Sequence, residues 1–225
     1  MTDTEKAEAR ARFKRLAAEF TEKGDPTGWF DVLYQAAAGN EEAIPWAHLT
    51  ANPLLVEWMA RHHISGDGRS ALVVGCGLGD DAEAMAHYGF AVTAFDISPE
   101  AIRWCQQRFP SSRVHYTVAD VLALPAAWSQ QFDFIVEAYT LQSLPDEALR
   151  AHAAANLARC VATHGSLLVI CRGREQHEDR GTMPWPLTRA ELAVCEQQGL
   201  QQVSFEDLLD SEEPSVRRFR VHFQR

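Results

Sequence analysis

The chain has 225 residues and a formal net charge of −10, with 31 acidic against 21 basic side chains. That length suits one α/β domain with a modest extension, and a 46% hydrophobic content is enough to fill a core. The acidity, with a pI near 5.3 and only short basic runs such as Arg217-Arg218 with Arg220, argues against nucleic acid or an anionic membrane as partner.

The first fifteen residues are polar and charged, without the apolar stretch of a secretory signal. Apolar runs such as Ser166 to Cys171 are too short to span a bilayer. The five cysteines, Cys76, Cys105, Cys160, Cys171 and Cys195, are odd in number and form no C-x-x-C pair. Free buried thiols in a reducing cytoplasm are the expectation.

Thr4 to Phe20 reads as a helix rich in Ala, Glu, Lys and Arg, stopped at Gly24-Asp25-Pro26. Gly28 to Ala38 is a second, aromatic-rich helix. Ile44-Pro45-Trp46 lies in a loop, and Asn52-Pro53 opens a helix that runs through His62. The rhythm changes at Ser70. Ala71 to Val74 is a short apolar run, the pattern of a buried strand. Gly75 to Gly79 is a turn and Asp80 to His87 a helix. Further strands are expected at Ala91–Phe95, Arg113–Val118, Phe132–Val136 and Gly165–Cys171. Helices are expected from Ser98-Pro99 to Phe109, over Asp146–Val161, and over Thr188–Gln197, where Thr188 and Glu191 form a capping box. Val203–Leu209 and Val216–Phe223 follow, separated only by Asp210 to Ser215. No crossover helix fits there, so these two strands should form an antiparallel hairpin. The expected fold is α/β: a doubly wound, seven-stranded, mostly parallel sheet whose last strand is antiparallel. Residues 1–69 form an N-terminal helical extension and residues 70–225 the core, in one structural domain overall.

The turn Gly75-Cys76-Gly77-Leu78-Gly79 follows a strand and opens a helix. Lacking Cβ atoms, its glycines let the backbone turn sharply and approach a ligand. Nicotinamide enzymes use a similar turn, so this feature alone leaves two cofactor classes open. Asp80 and Asp81 stand at the helix start, where they disfavour a pyrophosphate and suit a cationic ligand. Asp96, with Ile97 beside it, ends the second strand about 20 residues past the first glycine and can accept from ribose hydroxyls. Asp120 and the amide of Val121 end the third strand and can meet an adenine amino group. Glu137 lies at the carboxyl end of the fourth strand, facing the crevice where open α/β sheets bind ligands.

The runs Ala71–Glu83, Val92–Ile102, Tyr116–Leu122, Phe132–Tyr139 and Gly165–Arg172 together resemble the class I S-adenosylmethionine-dependent methyltransferases. The resemblance implies that fold, that cofactor and an enzyme. A finer likeness lies at the N-terminus. Trp29-Phe30-Asp31 with Tyr34, Ile44-Pro45-Trp46 and Pro53-Leu54 look like the lid of the thiopurine and thiol/halide methyltransferases, and Gly181–Trp185 resembles their active-site loop. This implies Trp29, Tyr34 and Trp46 near the methionine end of the cofactor. The segment Glu137-Ala138-Tyr139-Thr140-Leu141-Gln142 departs from that group.

A closed lid and an acidic surface favour a small acceptor: a thiol, anion, carboxylate or hydroxyl. Tyr139, Gln142 and Arg172 are the candidate catalytic residues. Arg172 and Arg174 stand where they could bind an acidic substrate, and His177 lies in the charged loop that follows. No metal constellation is visible, since the adjacent His62 and His63 point to different helix faces. A nicotinamide-dependent oxidoreductase and a non-catalytic S-adenosylmethionine-binding module are the alternatives.

Overall fold

A computed structural model describes residues 3–211 and 214–225; it leaves out Met1, Thr2, Glu212 and Glu213, and the side chains of residues 1–10. The expected Asp210–Ser215 connection therefore falls partly outside the described residues.

The apolar runs join one sheet. Its strands are β1 (Ser70–Val74), β2 (Ala91–Asp96), β3 (His115–Val118), β4 (Phe132–Ala138), β5 (Val161–Arg172), β6 (Gln201–Leu209) and β7 (Arg217–Gln224). They lie in the order β3-β2-β1-β4-β5-β7-β6. The first five are mutually parallel, and β7 pairs antiparallel with both β5 and β6. The closing hairpin thus supplies the antiparallel last strand. The strand order reverses between β1 and β4, which opens a crevice at the strands' carboxyl ends.

Alternation decides which face each side chain fills. Leu72, Val74, Phe95, Ile135, Leu167 and Val169 point to one face, where helix α6 (Glu147–Cys160) packs through Ala153, Leu157 and Cys160. Ala71, Val73, Ala94, Phe134, Leu168 and Ile170 point to the other. There they meet α3 (Pro53–Arg61), α4 (Asp80–His87) and α5 (Pro99–Arg108). Helix α3 is bound to the sheet by Trp58, packed among the rings of His62, Phe134 and His222. Arg220 on β7 adds a polar tie to the same helix, pairing with Glu57 and donating to Leu54 O at 2.7 Å.

Two further helices, α1 (Asp3–Glu22) and α2 (Trp29–Ala37), lie at the N-terminus. Both pack on the flank of the sheet. Phe13, Trp29, Leu33 and Tyr34 share an apolar cluster with Leu78, Ala101, Trp104 and Met183.

The caps read from the sequence all form. Asn52 accepts from Leu54 N at 3.0 Å, Ser98 from Ala101 N at 3.0 Å, and the Thr188–Glu191 box closes in both directions.

Several boundaries differ from expectation. β5 starts at Val161 rather than Gly165, because Val161 already pairs with Phe132 before the ladder resumes at Ser166. The chain between bulges, with His164 in the left-handed region at φ 63°. β3 begins at His115, where pairing with Thr93 starts, not at Arg113. The helix expected over Thr188–Gln197 is two short turns, α7 (Arg189–Leu192) and α8 (Val194–Gln197), broken at Ala193 where ψ opens to −11°.

The basic run near the C-terminus is matched by acids. Arg217 meets Asp207 and Glu175, Arg218 meets Asp210, and Arg220 meets Glu206 as well as Glu57. All five cysteines are buried free thiols. Among the described residues no helix is long and apolar enough to cross a membrane.

Candidate cofactor and acceptor site

The glycine turn sits at the carboxyl end of β1, beside the strand-order reversal. Gly75 and Gly77 both have positive φ, 56° and 53°. A Cβ on Gly75 would overlap Thr140 Oγ1, and one on Gly77 would lie 3.3 Å from the Tyr34 hydroxyl. The turn therefore needs glycine for its conformation and for close approach from two sides.

Asp96 locks this turn to the end of β2. Its Oδ2 accepts from Gly77 N at 2.9 Å and its Oδ1 from Ser98 N at 3.0 Å. Burial pushes its pKa up to about 6, and the nearby Asp31 adds to the rise. Cys76 N donates to Phe95 O at 2.8 Å, and Ile97 is half-buried next to Asp96. Asp120 follows β3 and caps a short turn, accepting from Leu122 N at 2.8 Å; Val121 beside it is buried. Glu137, on β4 opposite Val74, is completely buried. Its Oε1 accepts from Thr140 N at 2.7 Å and Leu141 N at 2.9 Å. Its Oε2 has no partner among the described residues. Burial pushes Glu137 up to about 7.

The N-terminal aromatics cover this edge. Trp46 Nε1 donates to the Tyr34 hydroxyl at 3.2 Å, and Trp46 packs edge-on against Trp29, Phe30 and Phe13. Asp31 anchors α2 to the start of α5. Its Oδ1 accepts from Ser98 Oγ at 2.6 Å and Glu100 N at 3.2 Å. Asp31 lies within Trp29-Phe30-Asp31, and its partners are 67 and 69 positions away, beyond the reach of local sequence.

Asp80 and Asp81 do not act as the bare acids expected. Arg108 grips Asp80 through two nitrogens, at 2.9 and 3.1 Å, and also meets Glu41 at 2.9 Å. The Asp80 charge is thus neutralised within the protein. Asp81 accepts from Asn52 N at 2.6 Å, which ties α4 to the cap of α3, and burial raises it to about 6. Glu137 and Asp96 are further buried carboxyls beside the turn.

The candidate catalytic residues lie just past β4 and β5. Tyr139 has a positive φ of 72°, and the Arg218 guanidinium stands 4.6 Å from its ring centroid. Gln142 is buried. Its Oε1 accepts from Arg172 N at 2.7 Å, and its backbone O accepts from Trp185 N at 2.8 Å. It therefore fastens the exits of β4 and β5 to the following loop. Arg172 is half-buried, and His177 is exposed. The loop reaches the aromatic cluster through Met183 and Trp185. Among the described residues, no group of three or more His, Cys, Asp or Glu side chains is placed to hold a metal.

A family model described as a methyltransferase domain matches residues 71–165. A ubiquinone biosynthesis O-methyltransferase from Azotobacter vinelandii is 37% identical over 110 residues, 48% of this chain and 47% of that protein. Nodulation protein S from Sinorhizobium fredii is 36% identical over 144 residues, covering 62% of this chain and 64% of that protein. The chain thus spans about half the length of several curated relatives it matches. In fold, it resembles a structure described by the conversion of a disulfide bond into a thioacetal group during echinomycin biosynthesis. There the TM-score is 0.71 at 20% identity, over 88% of this chain and 91% of that one. A methyltransferase from Methanosarcina mazei gives 0.66 at 19% identity, over 78% and 98%. These relatives are not of the thiopurine or thiol/halide group, so the finer N-terminal likeness draws no support from them. The match over the glycine turn and the first strands also sets aside the nicotinamide alternative. Residues 71–165 thus match a methyltransferase domain, and the fold resembles that of a solved S-adenosylmethionine-dependent methyltransferase.

Proposed function

We propose that the protein transfers the methyl group of S-adenosylmethionine to a small-molecule acceptor, in a pocket closed by the N-terminal aromatic segment. The observation that carries this reading is the set of carboxylates at neighbouring strand ends. Asp96, Asp120 and Glu137 follow β2, β3 and β4 around a glycine turn that Tyr34 and Trp46 approach.

The residues fit the cofactor. Glu137 Oε2 is a buried acceptor without a partner among the described residues, suited to the ammonium of the methionine end. Gly75, Cys76 and Gly77 form the backbone wall beside it. Asp96 retains lone pairs for ribose hydroxyls, with Ile97 as neighbour, while Asp120 and Val121 suit the adenine. Trp29, Tyr34 and Trp46 would flank the methionine end and exclude water. When bound, S-adenosylmethionine supplies an electrophilic methyl on a sulfonium.

The protein's own contribution is then positioning and desolvation. Charge disperses in this substitution, so no large developing ion needs stabilising. Holding two partners in line is worth roughly 7–11 kcal/mol in favourable cases. Tyr139 and Arg172 would face the acceptor, and Gln142 would set the position of Arg172 through its backbone. An ionised acceptor needs no base; a hydroxyl acceptor needs a proton taken from it. The O-methyltransferase named among the relatives favours keeping hydroxyls among the candidates, beside thiols, anions and carboxylates.

The reading is tested by release of S-adenosylhomocysteine across a panel of small thiols, carboxylates, phenols and amines. Turnover with at least one class is expected. Binding of S-adenosylmethionine with no turnover on any class would make the protein a non-catalytic binder.

Cofactor affinity should rise with pH. Below about 6 for Asp96 and about 7 for Glu137 the native carboxyls are protonated and attract a cation less. Each ionisation then adds at most about tenfold per pH unit as pH rises through these values. Calorimetry of S-adenosylmethionine binding from pH 5 to 8.5 checks this. Glu137→Gln should remove the component near 7, and a profile the variant leaves unchanged would exclude Glu137 from the cofactor site.

Trp46→Ala should weaken cofactor binding by roughly tenfold, about 1.4 kcal/mol. Unchanged affinity in the same calorimetric titration would mean the aromatic segment does not close on the cofactor.

A further inference from the structure

Beyond β4 and β5 lies a cluster of guanidiniums centred on Glu191. Arg150, on α6 and almost fully buried, donates from Nε at 2.8 Å and Nη2 at 2.5 Å to Glu191 Oε1, and from Nη1 to Leu144 O at 2.9 Å. Arg174 Nη2 stands 3.6 Å from Glu191 Oε2, which already accepts from Thr188 N at 2.8 Å and Thr188 Oγ1 at 3.1 Å. One carboxylate therefore serves two cations and a helix cap. Its capacity is spent.

Arg180 is the third cation. Its charge is opposed by Arg150 and Arg174 and favoured by Glu191 and Asp146, and burial together with the two arginines lowers its pKa. Asp146 is itself engaged in capping α6, accepting from Leu149 N at 2.8 Å. Three guanidiniums thus face two carboxylates, both otherwise committed. Arg180 Nε and Nη2 are sealed from solvent and have no partner among the described residues. Buried donors left unmade are costly, and more so when charged. These two nitrogens lie along one edge of the guanidinium, the edge that grips a carboxylate with two parallel hydrogen bonds. The plane is backed by Trp185, 4.9 Å from the guanidinium carbon to the ring centroid. Trp185 in turn hangs from Gln142, next to Tyr139 and the end of β4. The unmatched edge is therefore on the acceptor side of the proposed site, with a flat apolar wall beside it.

We propose that the Nε/Nη2 edge of Arg180, beside Trp185 and the Arg150–Glu191–Arg174 cluster, is the subsite for a carboxylate carried by the methyl acceptor, so that the substrate is a small organic anion. This rests on the methyl-transfer reading above and names its substrate class. Arg180 is a specificity residue here. It binds the acid group and leaves the methyl-accepting atom to the residues past β4.

The test is calorimetric titration of the S-adenosylhomocysteine-saturated protein with benzoate, with benzamide as its neutral counterpart, and with inorganic phosphate. Benzoate should bind about ten- to hundredfold more tightly than benzamide, the span expected for charge-assisted bonds. Arg180→Met should abolish that preference and Arg180→Lys should keep part of it, while both retain wild-type affinity for S-adenosylhomocysteine. That retained affinity shows the variants are folded. Equal binding of benzoate and benzamide, binding of neither, or a preference that survives in Arg180→Met would overturn the proposal. Phosphate binding more tightly than benzoate would also overturn it, assigning the edge to a tetrahedral anion. Failure of the wild-type protein to bind S-adenosylhomocysteine is seen before any acid is added. It would overturn the methyl-transfer reading, and this proposal with it.

Discussion

The site depends on one buried carboxylate joining two turns. Asp96 accepts from the glycine turn through one oxygen and from the start of α5 through the other. It fixes the distance between the exits of β1 and β2 at the point where the strand order reverses. The N-terminal segment is set by the same arrangement. Asp31 accepts from Ser98 and Glu100, immediately beyond Asp96, and so holds α2 with its Trp29 and Tyr34 above the turn. A slack Asp96 would loosen the glycine turn, the start of α5 and the aromatic cover together.

This arrangement brings acids into poorly hydrated surroundings. Asp96, Asp81 and Glu137 are all raised above the ordinary carboxylate range, with burial as the leading cause. Asp81 is satisfied by the cap of α3 and is structural. Glu137 keeps one oxygen without a partner among the described residues. Around Glu191 the imbalance has the opposite sign, because the arginines there outnumber the acids that face them. An unmatched carboxylate oxygen at Glu137 and an unmatched guanidinium edge at Arg180 suit a cationic cofactor and an anionic acceptor.

Much of this was legible in local sequence. The apolar runs, the glycine turn, the acids at strand ends, the caps at Asn52, Ser98 and Thr188, and the closing hairpin each depend on residues within a few positions of one another. What the sequence hid depends on distant partners. Asp80 reads as a free acid until Arg108, 28 positions away, is seen to neutralise it. Gln142 reads as a substrate-facing amide, but its carbonyl is committed to the backbone of Arg172. Arg180 reads as one more charge in a polar loop. Its isolation emerges only when Arg150 on α6 is found to have taken Glu191. The early start of β5 was hidden because the strand bulges near His164, which is in the left-handed region, after Val161 has already paired.

On the proposed reading, the carboxyl edge of β1, β2, β3 and β4 holds S-adenosylmethionine through the acids at its strand ends. A crystal structure of the protein with S-adenosylhomocysteine tests it most directly. The ribose hydroxyls should lie within hydrogen-bonding distance of Asp96, the adenine beside Asp120 and Val121, and the amino group at Glu137. A nucleoside bound elsewhere, or one whose ribose makes no contact with Asp96, would contradict it.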